Sequence, residues 1–230
     1  QETHRLLRFV VPTNYMGRHA WFGCPFGAIE RPQLAGGEAA EAMWEVPAAR
    51  WAAVTHSGSS AGLAILSESK YGFSARDGVL SVSLLRSPTW PDATADREDH
   101  KIAFALGPWQ WRNSSAHMST SVTADALFTA PIVYQGSPIP KPFDWIELGT
   151  LNPCWSAPSH VVPKSYILRL HETAGEPGEA QLKLTAHAKQ VELIDLYELP
   201  SADLSCDDLG IVKFSYRPWQ ILTIRVQLAD

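Results

Sequence analysis

The chain of 230 residues has little cysteine, no long apolar run and no excess of one charge, and each scarcity removes a class of function. Its three cysteines, Cys24, Cys154 and Cys206, are far apart and odd in number. They form neither a disulfide framework nor a metal-ligand spacing; buried thiols in a reducing compartment are the expectation, with one disulfide left open. No apolar stretch approaches the roughly 20 residues needed to cross a bilayer. The N-terminus has no basic region followed by an apolar one, so no secretory signal is visible and a cytoplasmic, non-membrane protein is expected. The 19 basic and 24 acidic residues, net −5, are spread without blocks. There is thus no basic stripe for nucleic acid and no polybasic run for anionic lipid. The chain also lacks an initiator methionine and opens just before an alternating apolar stretch, and it reads as part of a longer polypeptide.

Nucleophile and metal signatures are scarce too. None of the eight histidines lies in an H-E-x-x-H pattern, and His171-Glu172 has no second histidine. Gly58-Ser59-Ser60-Ala61-Gly62 fits G-x-S-x-G, but a nucleophile elbow needs a helix after the serine. An apolar strand, Leu63 to Leu66, follows instead, so a small-residue hairpin loop is the better reading.

What is present is alternation. Leu80, Val82 and Leu84 oppose Ser81 and Ser83; Tyr166, Leu168 and Leu170 oppose Ile167, Arg169 and His171; Leu222, Ile224, Val226 and Leu228 oppose Thr223, Arg225 and Gln227. A period of two predicts strands with one buried and one wetter face. Arg76-Asp77-Gly78, Gly175-Glu176-Pro177-Gly178 and Pro200-Ser201-Ala202-Asp203 are predicted turns. Seventeen prolines and 15 glycines so distributed predict an all-β fold, an antiparallel β-sandwich with at most one short helix, over residues 121–128. Gly36-Gly37 and Pro138–Pro142 are the expected loops. Trp109 and Trp111 share one face of a strand: exposed, they would form a sugar platform, and buried, they are core or interdomain packing, the reading taken here. Asn113-Ser114-Ser115 is a formal glycosylation sequon that means little without a secretory signal.

Several segments carry more information than strand and turn require. They include Gly62-Leu63-Ala64-Ile65-Leu66 running through Lys70-Tyr71-Gly72, then Gly78 to Leu84-Leu85-Arg86-Ser87-Pro88, then Pro91-Asp92 to Ala95-Asp96. To these add His4-Arg5-Leu6-Leu7-Arg8, Phe26-Gly27-Ala28-Ile29-Glu30-Arg31-Pro32, Glu45-Val46-Pro47 with Arg50-Trp51, Ile167-Leu168-Arg169-Leu170-His171-Glu172, and Arg217-Pro218-Trp219 through Arg225. Taken in their order along the chain, they resemble the C-terminal β-region of family 38 glycoside hydrolases, the retaining α-mannosidases, in their bacterial and cytosolic branch. The resemblance spans nearly all of the chain.

The resemblance implies a galactose-mutarotase-like supersandwich forming the C-terminal region over residues 1–230, with a subdivision into 1–140 and 141–230. It implies a parent enzyme that hydrolyses terminal α-linked mannose, with catalytic and helical domains outside this chain as its partners, and a homo-oligomer when intact. It also implies zinc in the intact enzyme; the family's His-x-Asp pair does not occur here, so neither catalytic residues nor metal ligands are expected in the chain. The carboxylates Asp92, Asp96, Glu98 and Asp99 lie on one turn-rich loop, whereas a glycosidase pair must flank the scissile bond. A solvated loop with turn bonds to backbone N–H groups is one reading; an active-site rim is the other. On the second, Arg86, which leaves a strand before a proline, with Lys70, Tyr71, Asp92 and Asp96, are the candidate substrate-binding or rim residues. A stand-alone carbohydrate-binding module and a purely structural or oligomerisation domain are the alternatives. Ser67-Glu68, Gln33 and Trp109 depart from the family pattern, which puts detailed substrate contacts in doubt.

Overall fold

The computed structural model describes residues 3–34, 36–42, 45–59, 61–110, 119–133, 135–136, 143–185 and 187–229. Trp111, the sequon at Asn113, Ser60 and the Pro138–Pro142 loop lie outside them. The chain divides into two compact units, Gln1–Arg112 with Thr123–Thr129, and Asn113–Val122 with Ala130–Asp230.

The first unit holds β1 (Leu7–Pro12), β2 (His19–Cys24), β3 (Gly27–Pro32), a single helical turn α1 (Glu38–Glu41), β4 (Glu45–Pro47), β5 (Trp51–Thr55), β6 (Ala61–Ser67), β7 (Gly72–Arg76), β8 (Val79–Leu85) and β9 (Phe104–Gln110). Two antiparallel sheets, in the orders β1-β8-β7-β4 and β3-β2-β5-β6-β9, face each other. Between them lie Phe22, Val54, Ile65, Phe73, Leu80 and Val82, all essentially inaccessible to solvent. The alternation of β8 is therefore read correctly for this core. Its turn with β7 needs left-handed backbone at Asp77 (φ 46°) and Gly78 (φ 74°), as the tight two-residue hairpin turn requires.

Ser81, on the outer face of β8, is also buried. Register places Arg8 of β1 opposite Ser83, and Glu45 of β4 opposite Ser74. The two form an ion pair that spans the sheet over its small outward residues.

The helix α2 (Thr120–Phe128) begins where expected to within a residue. The Ser119 hydroxyl accepts the amide of Val122 at 3.2 Å, an N-cap. Ala124 and Phe128 pack on Trp51, Ala53, Ala64, Leu66 and Trp109, on the face of the five-stranded sheet opposite the sandwich core. Trp109 is thus core, with ring centroids 6.3 Å from Trp51 and 6.4 Å from Trp21.

Gln33 explains one departure from the family pattern. It is fully buried; its side-chain amide donates to the carbonyls of Tyr15 (3.1 Å) and Gly17 (2.6 Å), and its oxygen accepts the amide of Gly78 (3.3 Å). The residue crosslinks three segments, which is a structural role.

The second unit holds β10 (Phe143–Glu147), β11 (Leu151–Pro158), β12 (Ser165–Glu172), β13 (Gly178–Leu184), β14 (Ala188–Ile194), β15 (Pro200–Asp203), β16 (Ile211–Tyr216) and β17 (Ile221–Leu228). Its sheets, β10-β13-β16 and β11-β12-β17-β14-β15, are antiparallel, with Leu151, Leu168, Leu170, Leu182, Val212, Ile224 and Val226 in the core between them.

Two expectations need correction here. Pro200–Asp203 is an edge strand, where proline is tolerated because no ladder N–H is demanded of it. The turn precedes it: Asp195 accepts the amides of Tyr197 and Leu199, and Glu198 takes φ 63°. The wetter face of β12 and β17 is also not wet. Ile167, His171, Thr223 and Arg225 are buried along with the apolar face. Glu192 of β14, directly opposite Arg225, accepts two bonds from its guanidinium, and this pairing lets polar groups be buried.

Candidate functional site

The segment after β8 is built by one carboxylate. Asp96 Oδ2 accepts the amides of both Arg86 (2.7 Å) and Ser87 (2.8 Å), so the loop folds back on the strand exit ten residues earlier. Ser87 takes left-handed backbone (φ 48°) and its carbonyl accepts the amide of His4 at 2.9 Å. The His4 ring meets the Thr89 hydroxyl at 2.8 Å, tying the N-terminal segment to the same loop. The two amide bonds hold the Asp96 carboxyl below the ordinary aspartate range, helped by the charges of His100 and Lys70 and opposed by partial burial.

The sequence-predicted residues thus gather at one end of the sandwich, with unequal intimacy. Arg86 and Asp96 are in contact through backbone. Lys70 acts on Asp96 by its charge, while its own amide is held by the buried hydroxyl of Ser67 at 3.0 Å. Ser67, a departure from the family pattern, supplies the turn acceptor. Tyr71 accepts the Ala48 amide through its carbonyl and leaves its ring exposed. Asp92 stands in its own turn, accepting the amide and hydroxyl of Thr94 at 2.8 and 2.7 Å, which lowers its pKa. The Arg86 side chain is exposed and has no ion-pair partner among the described residues. Trp90, 80% exposed, adds an aromatic surface to the same loop.

Asp96→Ala should release the Arg86 and Ser87 amides, read as faster hydrogen exchange at those two positions. A depressed carboxyl pKa means the loop's bonds are complete above the ordinary aspartate value and are lost as pH falls through the lower folded value. Acidification of the wild-type protein should therefore reproduce the variant. Unchanged protection at both amides in the variant would show that another group holds the loop.

Ser59 Oγ accepts the Ala61 amide at 3.0 Å and strand β6 begins at Ala61, so a strand stands where a nucleophile elbow needs a helix; the pattern's own serine, Ser60, lies outside the described residues. The thiol expectation needs correction: Cys154 and Cys206 are exposed and Cys24 is half-buried, and all three are free. Partial desolvation nevertheless pushes each thiol upward, away from the reactive thiolate. Among the described residues no three His, Cys, Asp or Glu side chains converge as a metal site. Two groups escaped the sequence reading, the buried Glu172 and the His19–Glu30 pair. Glu172 and Glu30 lie in segments that carry the family resemblance, and His19 lies in none.

Residues 1–94 match the family described as "Glycosyl hydrolases family 38 C-terminal domain", and residues 159–224 match "Glycosyl hydrolases family 38 C-terminal beta sandwich domain". Alpha-mannosidase 2C1 of Homo sapiens is 30% identical over 99% of this chain, and the Saccharomyces cerevisiae alpha-mannosidase is 26% identical over 97%. In both cases the chain spans 22% of the relative's length. The crystal structure of an alpha-mannosidase from Enterococcus faecalis V583 superposes with a TM-score of 0.69 over 96% of this chain and 25% of that one; at 15% identity it supports the fold alone. The chain belongs to glycosyl hydrolase family 38, as its C-terminal region.

Proposed function

We propose that this chain serves an α-mannosidase as its C-terminal β-region, positioning and closing a pocket whose reacting groups lie outside it. The observation that carries the reading is coverage: nearly the whole chain aligns with about a fifth of alpha-mannosidase 2C1. The intact protein would hydrolyse terminal α-linked mannose, with zinc, the catalytic and helical domains and any homo-oligomeric contacts supplied beyond these residues. A cytoplasmic setting is part of the proposal; among the described residues no helix is long and apolar enough to cross a membrane. The Asp96-locked loop supports a rim role, because it presents a guanidinium without an ion-pair partner among the described residues, and an exposed indole, from a backbone held by two amide bonds. Guanidinium forks suit both carboxylates and vicinal hydroxyls, and a fixed rim contributes by orientation and water exclusion.

The test uses p-nitrophenyl α-mannoside with the 230-residue chain and with the full-length protein carrying it. The chain alone should show no turnover and the full-length protein should. In the latter, Arg86→Ala should lower kcat/KM by roughly tenfold or more, the loss of one charge-assisted hydrogen bond. Turnover by the isolated chain would overturn the assignment of chemistry to other domains. An unchanged kcat/KM in Arg86→Ala would remove Arg86 from the rim.

A further inference from the structure

We propose that a surface hollow at the opposite end of β6 is a subsite for a neutral pyranose ring of a glycan, separate from the proposed rim. Lys70 lies between β6 and β7, whereas Gly58 and Ser59, just before β6, line the hollow, so the two places are separated by the length of β6, roughly 20 Å. The hollow is open to solvent, measures about 360 Å³ and is lined by Arg18, His19, Trp21, Glu30, Thr55 and His56, all in the first unit.

Its shape follows from the sequence. Gly17 presses against Thr55, donating its amide to the Thr55 carbonyl at 2.9 Å; a Cβ at that position would lie 2.2 Å from Thr55 Oγ1. This contact brings Arg18 and His19 to the sheet. Register sets Trp21 of β2 opposite Glu30 of β3 and, on its other side, Ala53 of β5, so a half-buried indole stands between a carboxylate and a methyl side chain. The His19 Nδ1–H is committed to the Glu30 carboxylate, and its Nε2 has no partner among the described residues. His56 is steadied by Tyr15, edge-on at 5.7 Å, and Nδ1–H donates to the Ser57 carbonyl at 2.9 Å. Both rings in this tautomer present an acceptor nitrogen.

The lining selects a ligand class. Glu30 disfavours an anion despite Arg18, and one carboxylate with two imidazoles is not a metal cluster among the described residues. A predominantly polar rim is poor for an apolar ligand. One aromatic wall for sugar C–H groups, with a carboxylate, a guanidinium and two imidazole acceptors for hydroxyls, suits a sugar ring. Binding needs no catalytic domain, so it is separable from the mannosidase reading; that reading supplies only the first probe.

The 230-residue chain would be titrated by NMR with methyl α-mannoside, methyl β-N-acetylglucosaminide and inorganic phosphate, following the Trp21 indole N–H and the His19 and His56 rings. Saturable shifts with either glycoside are expected, weakened roughly tenfold in Glu30→Gln and unchanged in Asp208→Asn, an exposed position of the second unit. Trp21→Ala should abolish them. Should that variant misfold, Glu30→Gln, an exposed substitution, decides alone. Silence toward both glycosides, equal binding in Glu30→Gln, or shifts with phosphate only would each overturn the inference.

Discussion

Glu172→Ala is expected to destabilise the second unit by about 3 kcal/mol or more, because three buried or half-buried amides lose their common acceptor. Glu172 is the last residue of β12 and is fully buried. Its Oε1 accepts the amide of Ala174 (2.7 Å), and its Oε2 accepts those of Gly175 and Trp219 (both 2.8 Å). One carboxylate thereby clasps the β12–β13 turn to the β16–β17 turn. Trp219 takes left-handed backbone (φ 58°), and its indole lies so close to Gly175 that a Cβ there would be 2.7 Å from the ring. Alanine leaves the three donors facing a space without an acceptor. Glutamine keeps the volume and one oxygen but turns an amide group toward one donor, so a cost of about 1–2 kcal/mol is expected. Urea denaturation gives the magnitudes, and hydrogen exchange at Ala174, Gly175 and Trp219 identifies the cause. A Glu172→Ala protein within about 1 kcal/mol of wild type, with those amides still protected, would mean that the turns are held by their packing alone.

Glu172 also marks the limit of what could be read in advance. Period-two alternation identifies β8, β12 and β17 because burial of every second residue is a local property of a strand. It assigns Leu80, Leu168, Leu170 and Ile224 to the core correctly. Alternation cannot reveal that the other face is buried as well, since that depends on which strands become neighbours. Arg225 and Thr223 look solvated until Glu192 and Arg169 are placed beside them. The Pro200 segment fails for a related reason, because proline marks a turn or an edge strand and only topology separates the two. At the candidate site, the sequence groups Arg86 and Asp96 on one loop. The sharing of a carboxylate between two amides ten residues away is a three-dimensional fact without a spacing signature. Gln33 shows the converse, for a residue that breaks a family pattern can still be fully occupied by structure.

Arg225→Met is expected to cost about 3–5 kcal/mol, whereas Arg225→Met combined with Glu192→Leu should lie within about 1–2 kcal/mol of wild type. The Arg225 and Glu192 side chains are almost wholly buried, opposite one another on β17 and β14. The guanidinium donates to Glu192 Oε1 through Nε (2.9 Å) and Nη2 (2.8 Å), and through Nη1 to the Glu198 carbonyl (2.9 Å). Removing the arginine alone strands the Glu192 carboxylate in a site that water cannot reach. Removing both exchanges a desolvated ion pair for apolar contact, which is close to neutral when the volume is kept. The third bond makes the prediction sharper, since it anchors the 195–199 turn, whose Glu198 also receives the Ser159 hydroxyl. The double variant should recover global stability yet still show faster exchange at the Tyr197 and Leu199 amides. A double variant as unstable as the single one would assign the pair's importance to that turn instead of to charge burial. The polar face of the sheet would then be a clamp on the loop first and a solution to desolvation second.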